Sequence, residues 1–170
     1  MSEQTGLVTM KGQPLTLLGG EVKVGDKAPD FEVVANDLSV VKFSSFQGKV
    51  CIICSVPSLD TSVCDTMTRR FNQEASNLAD VVVLTISMDL PFAQRRWCGA
   101  ADVENLQTLS DHRKASFGEA FGVLIKELRL LARAVFVIDK EGIIRYIDIV
   151  DELTNEPDYD AALKAARQLL

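Results

Sequence analysis

Histidine is nearly missing from this chain: His112 is the one such residue among 170. A Ser-His-Asp or Cys-His mechanism would have to be built on it. Its setting, Ser110-Asp111-His112-Arg113, is polar and reads as a surface turn, so histidine catalysis is set aside. Clusters of Lys and Arg are also missing. Basic residues number 18 against 24 acidic ones, a formal net charge of −6, which argues against nucleic acid or an anionic membrane surface as a partner. Apolar runs are short. The longest, Val50 to Val56, is interrupted by Ser55 and falls far below the roughly 20 residues of a membrane helix. Gly19-Gly20 is followed by Glu21 and lacks the Lys-Ser/Thr of a phosphate-binding loop. No metal, haem, flavin or nicotinamide site is visible, so no cofactor is expected. Met1 to Thr5 carry neither a positive patch nor an apolar stretch, and no secretory signal is expected. With 47% hydrophobic and 25% charged residues, the composition is that of a globular chain, expected to be cytoplasmic and to form one domain over residues 1–170.

What is present is a legible order of elements. Leu7-Val8-Thr9-Met10 and Leu15-Thr16-Leu17-Leu18 flank the polar break Lys11-Gly12-Gln13-Pro14, which predicts an N-terminal β-hairpin over about residues 7–18. Phe31 to Ala35 and Val40 to Phe43 predict a second strand pair, turned at Asn36-Asp37. Val50 to Val56 is apolar on both sides and rich in β-branched residues, as a covered central strand should be. Pro57 breaks that strand. From Ser62 the period changes: Val63, Met67, Phe71, Ala75 and Leu78 recur every three or four residues, an amphipathic helix with Cys64 in its first turn. Val81 to Ser87 predicts a second buried strand, Pro91 to Cys98 a short helix closed by Gly99, and Ala115 to Phe121 a further helical piece. Ala134 to Asp139 and Ile143 to Ile149 form a hairpin. Pro157, near the first helical position, opens a last amphipathic helix ending at Leu170. The order β-α-β, then helices, then β-β-α predicts an α/β thioredoxin-like fold. Its central mixed β-sheet is flanked by helices on both faces, with the hairpin as an N-terminal extension.

Four cysteines remain, at positions 51, 54, 64 and 98. In a reducing compartment they are not structural staples. Cys51 and Cys54 spell C-x-x-C, but they lie within a strand rather than at its end. An odd spacing on a strand sends the two side chains to opposite faces. They are expected to be inert core thiols.

Cys64 differs. A helix N-terminus offers unpaired N–H groups and the positive end of the dipole, both of which favour thiolate. Thr61, three residues earlier, can turn its hydroxyl to the same sulfur. Asp65 opposes ionisation unless it points to solvent or a nearby Arg offsets it. The plainer alternative is a partly buried helix cysteine. Cys98 follows Arg95-Arg96-Trp97, and those guanidinium groups would help it ionise. Alone it could equally be a half-exposed helix cysteine; beside an activated Cys64 it reads as a thiol that meets a sulfenic acid before over-oxidation. A binding module without redox chemistry and a dithiol–disulfide oxidoreductase stay open as alternatives.

Pro57-Ser58-Leu59-Asp60-Thr61-Ser62-Val63-Cys64 matches Pro-x-x-x-Thr-x-x-Cys and resembles the peroxiredoxins. More narrowly it resembles the thiol peroxidase (Tpx) branch, the atypical two-cysteine bacterial members. Ala28-Pro29-Asp30-Phe31, Arg70-Phe71-Asn72, the run Met88 to Gln94, Trp97-Cys98-Gly99-Ala100, Ala132-Arg133-Ala134, Val150-Asp151-Glu152 and Glu156-Pro157-Asp158-Tyr159 continue the likeness in one register.

The resemblance implies roles position by position. Cys64 is the peroxidatic cysteine, attacking hydrogen peroxide or an organic or lipid hydroperoxide as thiolate and becoming sulfenic acid. Thr61 orients thiolate and peroxide, Pro57 shields the sulfur, and Arg133 supplies the cation that offsets Asp65 and stabilises charge on the peroxide oxygens. Cys98 is the resolving cysteine, giving a Cys64–Cys98 disulfide that thioredoxin reduces. The branch is homodimeric and serves antioxidant defence and cell redox homeostasis. Disulfide formation needs Cα atoms within about 7 Å, so both helices are expected to loosen in each cycle. Trp97 stands where the branch more often has another aromatic and is expected simply to fill volume.

Overall fold

The computed structural model describes residues 2–75, 77–78, 80–101 and 107–170. Chain order gives strands β1 (Glu3–Met10), β2 (Gln13–Leu18), β3 (Glu32–Val34), β4 (Val40–Lys42) and β5 (Val50–Ser55), then helix α1 (Ser62–Ala75) and strand β6 (Val81–Ser87). Helix α2 (Pro91–Ala101), strand β7 (Gln107–Ser110), helix α3 (Ser116–Phe121) and the short strands β8 (Leu124–Ile125) and β9 (Leu130–Leu131) follow. Strands β10 (Ala134–Ile138) and β11 (Ile144–Ile149) and helix α4 (Tyr159–Arg167) complete the chain.

Seven strands form one mixed sheet in the order β11-β10-β5-β6-β7-β3-β4. Its centre is parallel, β5 with β6 and β6 with β7, whereas β10 runs antiparallel to β5. A second, antiparallel sheet, β1-β2-β8-β9, incorporates the N-terminal hairpin. This is the thioredoxin-like arrangement expected from the order of elements.

Strand period divides the core. Cys51 and Ile53 of β5 join Phe136, Phe117, Phe121 and Leu17 on the face covered by α3 and the hairpin. Val50, Ile52 and Cys54 point the other way, into Met67 and Phe71 of α1 and Leu163 and Ala166 of α4. The C-x-x-C cysteines therefore sit on opposite faces, both about 1% exposed. Burial pushes the Cys51 thiol up to about 11 and raises Cys54 as well.

Several boundaries differ from expectation, each for a local reason. Helix α2 runs through Gly99 to Ala101 instead of stopping at Cys98; a helical glycine is a tolerated cost, not an obligatory stop. Helix α4 starts at Tyr159, because the Asp158 carboxylate accepts the Ala161 N–H at 3.0 Å and caps it. Pro157 thus precedes the cap, and the helix ends at Arg167 rather than Leu170. Leu78 is buried but lies beyond α1, and the side chain of Ala75 lies outside the described residues. Strands β7, β8 and β9 carry no sequence signal strong enough to mark them.

The Ser110–Arg113 stretch is a surface turn only in its second half, where His112 and Arg113 turn and Arg113 is exposed. Ser110 and Asp111 are buried, and the Asp111 carboxylate accepts the N–H groups of Phe117 and Gly118 at 3.0 and 2.8 Å, capping α3 from the end of β7. Burial is the largest influence on that carboxyl and pushes it up to about 6, against the lowering effect of the backbone donors. The Gly19-Gly20 pair also has a packing reason. Gly19 (φ +119°) approaches the Glu119 carbonyl so closely that a Cβ would lie 2.1 Å from its oxygen.

Candidate active site

The parallel strands β5, β6 and β7 deliver three loops to one edge of the sheet, the edge where open α/β folds place their chemistry. The loop after β5 turns at Pro57 into α1. The Thr61 hydroxyl caps that helix: it accepts the Cys64 N–H at 3.2 Å and donates to the Ser58 carbonyl at 3.2 Å. The loop after β6 contributes Asp89, whose carboxylate accepts the Ser58 hydroxyl at 2.7 Å and the Leu59 N–H at 2.8 Å. Asp89 also accepts the Ser87 hydroxyl at 2.8 Å. Three donors on one carboxylate hold the Pro57 loop against the start of α2.

Cys64 is fully buried within the α1 face of the core. Arg133, from the segment before β10, reaches its sulfur with Nη1 at 3.0 Å. The same guanidinium donates from Nε and Nη2 to the Leu153 carbonyl at 3.1 and 2.8 Å. Arg133 is only 2% exposed. A guanidinium removed from water is costly unless it is paired; among the described residues its partners are the Leu153 carbonyl, the Cys64 sulfur and, at 4.0 Å, the Met67 sulfur, not a carboxylate. Of these acceptors, the cysteine sulfur is the one whose chemistry includes an anionic form.

Asp65, the negative neighbour that Arg133 was expected to offset, has partners of its own. Its Oδ2 accepts Arg69 Nε at 2.9 Å and its Oδ1 accepts the Trp97 indole N–H at 2.8 Å. These donors engage both carboxylate oxygens, while Arg133 Nη1 contacts the sulfur. Trp97 therefore does more than fill volume, and sequence reasoning missed this.

Pro57, Thr61 and Arg133 line one cavity of about 240 Å³, together with Val63, Leu128 and Leu153. Its walls are mostly apolar, with Thr61, Ser62, Thr154 and Arg133 as the polar lining residues; Cys64 itself does not line it. Cys98 stands apart on α2, half-buried, with its sulfur 3.2 Å from the Thr108 hydroxyl of β7. That hydroxyl donates to Asn36 Oδ1, so it accepts from the Cys98 thiol. Arg95 and Arg96, expected to assist Cys98, are exposed. Cys64 and Cys98 are free thiols in this structure. His112 takes part in none of this; its Nδ1 lies 2.8 Å from the Ser110 hydroxyl.

The Redoxin family model matches residues 23–163. The thiol peroxidase of Halalkalibacterium halodurans is 60% identical over 163 residues, covering 96% of this chain and 98% of that protein. The chain belongs to the Redoxin family and is a peroxiredoxin-type thiol peroxidase. The Bacillus subtilis thiol peroxidase is 58% identical with the same coverage. Among solved structures, a peroxiredoxin-like protein from Aquifex aeolicus superposes with a TM-score of 0.91 at 43% identity, over the full length of both chains. Thiol peroxidase from Chromobacterium violaceum matches with a TM-score of 0.84 over 95% of each chain; at 21% identity it speaks to the fold alone. No helix among the described residues of this peroxiredoxin is long and apolar enough to cross a membrane.

Proposed function

We propose that this thiol peroxidase reduces hydrogen peroxide and organic or lipid hydroperoxides by an in-line attack of the Cys64 thiolate on the O–O bond. An S–O bond forms, the O–O bond breaks, and water or an alcohol leaves after taking a proton; Cys64 becomes sulfenic acid. Arg133 stabilises the thiolate beforehand and the charge spreading over the peroxide oxygens during attack. Pro57 shields the sulfur from bulk water, and Thr61 orients the peroxide once its hydroxyl turns from the Ser58 carbonyl toward the cavity. Cys98 then displaces water from the sulfenic sulfur to give a Cys64–Cys98 disulfide, which thioredoxin reduces by exchange. The enzyme acts as a cytoplasmic homodimer, each chain one domain over residues 1–170, in antioxidant defence and cell redox homeostasis.

The observation that carries this reading is the 3.0 Å contact from the buried Arg133 guanidinium to the Cys64 sulfur. The apolar walls of the adjoining cavity support substrates with an organic substituent. The dithiol oxidoreductase alternative loses its one support, since Cys51 and Cys54 are buried on opposite faces. The test is to reduce the protein, add one equivalent of hydrogen peroxide, quench within seconds and map the peptides by mass spectrometry. Loss of two hydrogens in a Cys64–Cys98 cross-link is expected. A Cys64 that remains a thiol for many minutes would overturn the reading.

A further inference from the structure

The two cysteines that the proposed cycle uses each have a sequence neighbour that reaches across to the other helix. Asp65 follows Cys64 on α1, Trp97 precedes Cys98 on α2, and the indole N–H of Trp97 donates to Asp65 Oδ1 at 2.8 Å. Arg69 closes a triangle: its Nε donates to the other carboxylate oxygen at 2.9 Å, and its guanidinium carbon lies 5.7 Å from the centre of the Trp97 ring. Trp97 is 9% exposed and packs in the same cluster as Cys64. Meanwhile each sulfur is held by a partner of its own, Cys64 by Arg133 and Cys98 by Thr108.

We propose that Trp97 is a positioning residue whose hydrogen bond to Asp65 clasps the first turn of α1 to α2 and so sets how oxidised Cys64 divides between two fates. This inference rests on the peroxidase cycle proposed above. In one fate the Cys98 thiol attacks the sulfenic sulfur, an S–S bond forms and water leaves. In the other a second hydroperoxide transfers an oxygen to the same sulfur, its O–O bond breaks, an alcohol or water leaves, and Cys64 becomes sulfinic acid. The first fate requires both helices to loosen, because the Cys64 sulfur must leave its buried place beside Arg133. The second proceeds with the helices closed. A clasp between them therefore slows resolution and lengthens the exposure of sulfenic acid to peroxide.

The indole N–H makes this bond; phenylalanine fills most of the ring's volume and lacks the donor. The Asp65 side chain is 35% exposed, so losing the donor leaves it to water rather than stranding a buried charge. W97F thus reads the bond itself. In W97F, rapid-quench mass spectrometry should show disulfide formation accelerated by about fivefold, the worth of one net hydrogen bond. The peroxide concentration giving half sulfinic acid should rise in proportion. The rate constant of the first oxidation should stay within about twofold. D65A should accelerate resolution to a similar extent, and the double variant should add little to either, since both remove the same contact.

An unchanged disulfide-to-sulfinic ratio in W97F and D65A, or additive effects in the double variant, would overturn the proposal. A fall in the first-oxidation rate matching any change in resolution would also overturn it, by reducing Trp97 to a structural role. If W97F does not fold, D65A against wild type decides by the same ratio. Absence of any Cys64–Cys98 disulfide in the wild type would overturn the parent reading as well, which separates the two failures.

Discussion

Arg133 and Leu153 are joined by a forked hydrogen bond, with Nε and Nη2 of the guanidinium both donating to one carbonyl oxygen. This fork leaves Nη1 directed at the Cys64 sulfur. A main-chain carbonyl can hold a guanidinium at a fixed angle without neutralising it, so the charge stays available to the Cys64 sulfur. Lysine cannot reproduce the fork. Arg133→Lys and Arg133→Met are expected to lower the rate constant for hydrogen peroxide by about 100-fold or more, the scale of losing one preorganised donor to developing charge. Stopped-flow measurement of peroxide consumption checks this, with circular dichroism to establish that the fold survives. A loss under about threefold in both variants would remove Arg133 from the chemistry.

Leu153 is itself fastened to the N-terminal hairpin. Its N–H donates to the Thr9 carbonyl at 2.9 Å, and Thr9 N–H donates to the Asp151 carbonyl at 2.8 Å. Between them the Glu152 carboxylate accepts the Thr9 hydroxyl, the Gly12 N–H and the Thr154 N–H, each at 3.0 Å. The hairpin therefore helps to aim Arg133 at a distance. Glu152→Ala should slow the first oxidation on the order of tenfold while leaving the resolution step by Cys98 unchanged. Equal slowing of both steps would point to general loosening instead. The backbone donors from Thr154 and Gly12 pull the Glu152 carboxyl down to about 2. A lowered carboxyl contributes above its unfolded value and is lost as pH falls through the folded one, so this clamp should not titrate in assays between pH 5 and 8.

Asp111 works in the opposite sense. Its folded value is raised to about 6 from 3.8, mainly by burial, so the native state holds the proton more readily than the unfolded chain. The ionised form is a cost that is fully present above about pH 6 and is relieved as pH falls toward 3.8. The contribution is on the order of 2–3 kcal/mol across that window. Urea denaturation from pH 4 to 7.5 should therefore show Asp111→Asn with a shallower decline of stability with pH than wild type, whatever its absolute stability. Parallel pH profiles would show that Asp111 carries no such linkage.

Cys51 and Cys54 should be silent in the native protein. With Cys51 pushed up to about 11 and Cys54 raised by burial, neither offers an appreciable thiolate near pH 8. Native alkylation with iodoacetamide at that pH, read by peptide mass spectrometry, should modify Cys51 and Cys54 only after denaturation. Cys51→Ala is expected to leave peroxide turnover unchanged and to lower stability by about 1–2 kcal/mol through lost packing. Rapid native labelling of either cysteine would contradict their placement in the core.

Much of the site was legible because its parts are local. Cys64 and its cap Thr61 follow from a period change three residues apart, and the opposite facing of Cys51 and Cys54 follows from the two-residue repeat of a strand. Asp89 carries no local signal for its role in holding the Pro57 loop, which arises because the parallel β5 and β6 place their following loops side by side. The first half of the Ser110–Arg113 stretch shows the converse. Polar composition marks a turn only when the polar groups face water, and here Asp111 turns inward to the open N–H groups of α3.

The sequence by itself determined most element types, the helix-start position of Cys64 and the burial of strand β5 before it, because backbone periodicity and capping act within a few residues. Tertiary structure alone brought Arg133 Nη1 to the Cys64 sulfur, set the Leu153 carbonyl to hold it there, and joined α2 to α1 through Trp97. Those contacts span 69, 20 and 32 positions respectively. No local period encodes such separations; they form only when the sheet brings its loops to one edge and buried charges must find partners.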